Sequence, residues 1–341
     1  MNGSDARPLT GDGGPGDRDA AGVPITTDDR TRTIDRVGRL VASAAADARR
    51  ICHYSARSMG FGRTAPRVDR AKMTIPTEAS PRRPIGAAAK FHATRMAGKL
   101  ASRLGRTIAR HRKAELAPDR FSVLIVNWNT LDYLRPVLDA VAKFSPPDTE
   151  IVVVDNASSD GSRAFLKQAG VRWLRSPINL GHGPAMDLAT TMVRTEYFAT
   201  LDVDAFPISA EWLGVMRGHL DAGSAVVGGR LYRKFAHPSM LAMATRTFRE
   251  RDHTFIRSAW VSSADFVHGE SWDVGELISM REAPNITLIE ASEVRGPDVI
   301  GMVYGGLVYH NGASSHGPAE YRAESRIAWK EAQARFLSSD S

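Results

Sequence analysis

A single cysteine, Cys52, is the only thiol in 341 residues. That excludes an intramolecular disulfide framework and any cysteine-based zinc site. No stretch approaches the roughly 18 uninterrupted apolar residues that a membrane span requires. The opening MNGSDARPLTGDGGPGDRDAAG lacks the charged-then-apolar layout of a secretory signal. A cytoplasmic protein is therefore expected, with the glycosylation sequons at Asn156 and Asn285 unused. The phosphate-cradling pattern GxxxxGK followed by Ser or Thr is absent. The turn after the first apolar strand, NWNTLDYL, has no glycine, so the dinucleotide fingerprint fails as well.

What is present is enough apolar sequence, 43% of the chain, for one large domain with extensions. The net charge of +7 is unevenly spread: residues 1–50 sum to zero, 51–116 to +12, and 117–341 to −5. The basic character lies in one segment, and the body of the protein is mildly acidic. Residues 1–28 read as a disordered tail with almost nothing to bury. Residues 29–116 read as a helical, basic extension. Ile34, Val37, Leu40, Val41 and Ala44 have helical spacing, a Gly/Pro/Arg linker follows, and a second helix runs from about Ile85 to Arg112. In that helix Arg95, Lys99, Arg103, Arg106 and Arg110 form one stripe; Met96, Leu100, Leu104 and Ile108 form an adjoining apolar one. Three readings are open: docking on its own domain through the apolar stripe, contact of 85–112 with an anionic membrane surface at the inner face, or nucleic-acid binding. The segment lacks interleaved aromatics and any nucleic-acid motif, so nucleic acid is not expected.

From Phe121 the pattern changes to continuous apolar strands interleaved with helices, which implies a mostly parallel sheet covered on both faces. The domain is expected over 117–320, with a C-terminal helix or tail over 321–341. Ligands bind beyond the carboxyl ends of such strands. Three successive strand ends here are polar: Asn127, then Asp155-Asn156, then Asp202 and Asp204. In the stretch ATLDVDAFP, extended geometry would point residues 202 and 204 the same way, as a shared cation site requires. Divalent Mg²⁺ or Mn²⁺ takes such oxygen ligands while contacting substrate phosphates. A strand end followed by a turn is the plain alternative for the pair.

The motifs SVLIVNWN, IVVVDNASSDGS, NLGHGPAMDLA and LDVDAFP, in this order over about Phe121 to Gly317, resemble inverting family-2 glycosyltransferases of the GT-A fold. Their rhamnosyltransferase-like members look nearest. The resemblance implies an α/β GT-A domain that moves a sugar from a UDP- or dTDP-sugar to an acceptor hydroxyl with the help of a divalent cation. It implies Asn127 beside the nucleotide and Asp155 accepting the imide N–H of a uracil or thymine. Asn179 and Gly181 would line the same pocket, Asp202 would approach the ribose and the metal, and Asp204 would hold the cation. His310, in LVYHNGASSHG, would complete the metal site. A general base would come from VHGESWDVGELISM, with Asp273 preferred to Glu270; helix capping is the competing role for Asp273. The family motif usually has Asn where this chain has Asp187, and no role is assigned there. Two other functions stay open. One is a sugar-nucleotidyltransferase, disfavoured by the glycine-free turn; the other is a non-catalytic nucleotide-binding or scaffolding protein acting through its basic helix.

Overall fold

The structure, a computed structural model, describes residues 85–111, 115–230, 235–256, 274–295, 301–312 and 319–338. The expected tail over 1–28, the first helix and the linker to residue 84 lie outside these residues, as do Glu270 and Asp273.

The run FSVLIVN closes β1 (Ala117–Asn127), and all of it is buried. A strand buried on both faces must be covered twice. Val123 and Ile125 enter one core with Leu134, Val137 and Val141 of α2 (Leu131–Phe144). Leu124 and Val126 enter the other with Ala185, Met186 and Leu188 of α4 (His182–Thr190). Each buried aliphatic side chain contributes about 1.5–3 kcal/mol.

The sheet order is β3 (Arg172–Arg175), β2 (Glu150–Asp155), β1, β4 (Thr195–Leu201), β7 (Ala236–Ala244), β6 (Val226–Arg230), β8 (Ile286–Ile289). Only β7 runs antiparallel to its neighbours. This is the mostly parallel, doubly covered α/β sheet of a GT-A fold. The chain leaves it after β4 and pairs into a second, antiparallel sheet. That sheet holds β5 (Ala205–Pro207), β11 (Val308–His310), β10 (Met302–Tyr304) and β9 (Ala291–Val294), in that order. The C-terminal helix, α8 (Ala319–Phe336), closes the first core with Trp329 and Ala332.

The basic helix is α1 (Ile85–Arg110), and it packs on α4. Docking through the apolar stripe is not what happens. Met96, Leu100, Leu104 and Ile108 are 65, 47, 37 and 38% exposed. The docked face is instead Ala97, Gly98, Ala101, Ser102, Gly105 and Ala109. Small residues let the two helices approach closely. A Cβ at Gly98 would stand 2.6 Å from the Leu180 carbonyl oxygen, so no larger residue fits there.

Asp187, on α4, is fully buried and fastens that contact. It accepts from the Ser102 hydroxyl, from Arg106 Nη1 at 3.0 Å, from Thr254 Oγ1 at 2.5 Å and from the Phe255 N–H at 2.7 Å. Burial pushes its carboxyl above the ordinary value, against the hydrogen bonds from Phe255, Ser102 and Thr254 and the Arg106 charge. Asp252 adds an outer clasp, 3.2 Å from Arg106 Nε and 2.5 Å from Arg110 Nη2.

Losing Asp187 leaves the buried Phe255 N–H without its acceptor and removes one of the two carboxylates paired with Arg106, a loss of about 1–3 kcal/mol. Asp187→Ala is expected to show that cost in urea unfolding, with faster amide exchange along α1. The Asp252 carboxyl is held below its ordinary range: partial burial opposes ionisation, but hydrogen bonds from Arg110 and Arg106 prevail. Its contribution is present above the unfolded-chain value of about pH 3.9 and is lost as pH falls through the lower folded value. Protection of α1 should therefore decline below about pH 4, and less so in Asp252→Asn, which has no such charge to lose.

Candidate active site at the carboxyl ends of the strands

Register brings Asn127, Asp155 and Arg175 side by side at the ends of β1, β2 and β3. Two loops lock together above them. Asn129, at φ 54°, accepts the Ser159 N–H at 2.7 Å. Asp160 accepts from the Leu131 N–H at 2.8 Å and from the Ser162 N–H at 3.1 Å, so one carboxylate serves the starts of α2 and α3 (Ser162–Leu166). Buried Asn127 donates to Ser158 Oγ at 3.0 Å and accepts from Thr130 Oγ1 at 2.8 Å. It lies beneath the loops and shapes them.

Asp155 is buried; Oδ1 accepts the Ser158 N–H at 3.1 Å and Oδ2 lies 3.3 Å from Arg175 Nη1. An ionised carboxylate has about four acceptor positions, so room for another donor is left. Asn179 Oδ1 accepts from Asn156 Nδ2 at 3.0 Å and from the Gly181 N–H at 2.8 Å. These bonds shape the turn that opens α4. A surface depression of about 480 Å³ lies on this side, lined by Ser158, Arg163, Lys167 and Arg175 among others.

Asp202 and Asp204 are not in extended chain. Residues 202–204 form a turn closed by the Ala205 N–H to the Asp202 carbonyl at 3.0 Å. What brings the two carboxylates together is His310. Its Nε2 is 3.8 Å from Asp202 Oδ2 and 3.8 Å from Asp204 Oδ1. The register of β11 against β5 pairs His310 with Ala205, and the Asn311 N–H donates to the Asp204 carbonyl at 2.9 Å. The turn is thus pinned from the strand that carries the histidine.

Three residues here have no local sequence signal. His182, at the start of α4, has Nε2 3.2 Å from Asp202 Oδ1, and His237, on β7, has Nδ1 3.8 Å from Asp202 Oδ2. Ligand atoms of Asp202, His237 and His310 all lie within 4.8 Å of one another, a group able to hold a metal ion. Tyr304 joins the two histidines from behind. His237 Nδ1 is 2.8 Å from Ser239 Oγ, which is 3.2 Å from Tyr304 Oη, itself 3.1 Å from His310 Nδ1. At His310 this outer contact at Nδ1 orients the ring and leaves Nε2 facing the two aspartates. Gly229 seats the tyrosine: a Cβ there would stand 2.7 Å from its ring. Burial opposes ionisation of Asp202, but the His182 hydrogen bond and the charges of His182, His237 and His310 hold its carboxyl below the usual range.

Residues 122–269 match the family model described as Glycosyl transferase family 2. The match covers less than half of the chain, which over that segment is similar to family-2 glycosyltransferases. The matched segment begins within β1 and takes in Asp155, Asp202, Asp204 and His237. A 92-residue stretch is 24% identical to the teichoic acid poly(glycerol phosphate) polymerase of Staphylococcus epidermidis, covering 25% of this chain and 13% of that protein. The chain thus spans only a small part of the curated relative it matches. Among solved structures, the S. aureus TarS fragment 1–349 in complex with UDP-GlcNAc is 17% identical, with 65% of this chain and 68% of that one covered and a TM-score of 0.39. The mannosyltransferase PcManGT from Pyrobaculum calidifontis, in complex with GDP-Man and Mn²⁺, is 18% identical over 73% and 75% of the two chains, with a TM-score of 0.43. Glucosyl-3-phosphoglycerate synthase from Mycobacterium tuberculosis is 14% identical over 70% and 85%, with a TM-score of 0.39.

Tyr304→Phe removes the hydroxyl that joins Ser239 to His310. Leaving the buried His310 Nδ1 without that contact is expected to cost about 1–3 kcal/mol in denaturant unfolding. The imidazole ¹⁵N signals of His310 should shift with it; signals identical to wild type would show that Tyr304 does not orient the ring.

Proposed function

We propose that the protein transfers a sugar, with inversion, from a UDP- or dTDP-sugar to an acceptor hydroxyl, and that it uses a divalent cation. The observation carrying this reading is the meeting of two halves at one sheet edge. Asp155 and Arg175 stand at the ends of β2 and β3, and Asp202, Asp204, His237 and His310 gather beyond the end of β4.

Asp155, steadied by Arg175 and the Ser158 N–H, accepts the imide N–H of a uracil or thymine. A cytosine has no such N–H, so the pair selects against it. Asp202, His237 and His310 would hold the cation, with Asp204 beside them. Two imidazoles in the donor set suit Mn²⁺ better than Mg²⁺. When bound, the cation neutralises charge developing on the leaving diphosphate. The acceptor hydroxyl is a poor nucleophile and needs a carboxylate to take its proton as the new bond forms. We assign that role to Asp273 in preference to Glu270, both outside the described residues. The helix that follows, α7 (Glu276–Glu282), has Gly275 at its N-cap, so the capping position falls two residues after Asp273 in the sequence.

Calorimetric titration of UDP and dTDP, with and without Mn²⁺, tests the reading. Wild type is expected to bind either nucleotide with Mn²⁺ and at least about tenfold more weakly without it. Asp204→Ala should lose the Mn²⁺ dependence, and Asp155→Ala should weaken binding in both conditions. No binding of either nucleotide by demonstrably folded protein would overturn it. Since imidazoles must be deprotonated to ligate, affinity for Mn²⁺ should fall as the solution is acidified.

A further inference from the structure

We infer that the outward face of α1 is a docking surface for an anionic phospholipid bilayer. The helix repeats a pattern three times, Arg95-Met-Ala-Gly, Lys99-Leu-Ala-Ser and Arg103-Leu-Gly-Arg: a cation, a large apolar residue and a small one, followed by a second small residue in the first two units and by Arg106 in the third. Residues four apart share a helix face. The unit therefore separates two faces, and the structure shows what each meets. The small residues Ala97, Gly98, Ala101, Ser102 and Gly105 are spent against the domain. Since α4 packs on β1 and β2 and α1 packs on α4, α1 is the outermost layer among the described residues and its other face points away from them.

That face carries Met96, Leu100 and Leu104 beside Arg95, Lys99 and Arg103, all exposed. The four apolar residues of α1 are most of the exposed large hydrophobics among the described residues, and they lie in one line. Arg106 and Arg110 are engaged by Asp187 and Asp252. Among the described residues, Arg95, Lys99 and Arg103 have no acidic partner, and the whole helix contains no Asp or Glu. Aliphatic side chains of this size insert at the headgroup boundary while neighbouring cations meet lipid phosphates. A second copy fits worse, because two such faces would bring like charges together. This inference does not rest on the glycosyl-transfer reading.

Full-length protein is to be sedimented with vesicles of phosphatidylcholine alone and of phosphatidylcholine with phosphatidylglycerol, at low and high salt. The expected result is partitioning onto the anionic vesicles that falls about tenfold or more at high salt or without phosphatidylglycerol. Lys99→Gln/Arg103→Gln and Leu100→Gln/Leu104→Gln should each lower partitioning by about tenfold. Both double variants should unfold at the wild-type temperature, because they leave the docked face untouched. Equal partitioning onto both vesicle types, or none, overturns the inference. So does a lowered unfolding temperature in Leu100→Gln/Leu104→Gln, which would mean that protein covers the stripe. A mass by light scattering that halves in that variant would assign the face to a second copy and overturn it equally.

Discussion

The turn over residues 202–204 is the constraint on which the chemistry of this protein depends. It is where the chain passes from a parallel sheet to an antiparallel one. On the incoming side β4 is locked between β1 and β7; on the outgoing side β5 is locked to β11. Two carboxylates held this close repel each other and resist burial. Here they are accommodated because the second sheet delivers His310 against both, while β7 and the start of α4 deliver His237 and His182 against Asp202. The site is an intersection of four elements that are distant in sequence, with cationic or ligating nitrogen supplied from three directions.

A second polar centre does mechanical work. Asp187 stands on the same helix that His182 opens, and it ties that helix to α1 and to the strand of chain through Phe255. A charge in such a place requires donors on every side, and it has them. The outer helix and the histidine that faces Asp202 are therefore fastened to one element. Where the family motif usually carries an amide, this chain carries a carboxylate with an arginine to match it, and the extension N-terminal to the domain supplies that arginine.

The polar strand ends were legible because a strand buried on both faces is a continuous apolar run, and a polar residue at its end is conspicuous. Asn127, Asp155 and the Asp202–Asp204 pair were recognisable for that reason. Their detailed geometry was not. The two aspartates meet through a turn and a partner histidine, and extended alternation plays no part. Arg175, His182, His237 and Tyr304 carried no local signal, since a lone histidine or tyrosine in a chain is usually just packed or exposed. The apolar stripe of α1 misled for a related reason. Hydrophobic periodicity marks a face that avoids water, whereas close helix packing is governed by how near two backbones can come, and glycine and alanine permit the nearest approach.

By itself, then, the sequence determined a doubly covered parallel sheet, a set of acids at its carboxyl edge and a strongly basic helix ahead of it. These follow from local rules, namely burial, periodicity and composition. The tertiary structure alone decided which histidines face Asp202, which face of α1 is spent on the domain, and that Asp187 is an anchor. Each of those depends on contacts between residues scores of positions apart, and such contacts are fixed by strand register and helix packing, which no short stretch of chain encodes.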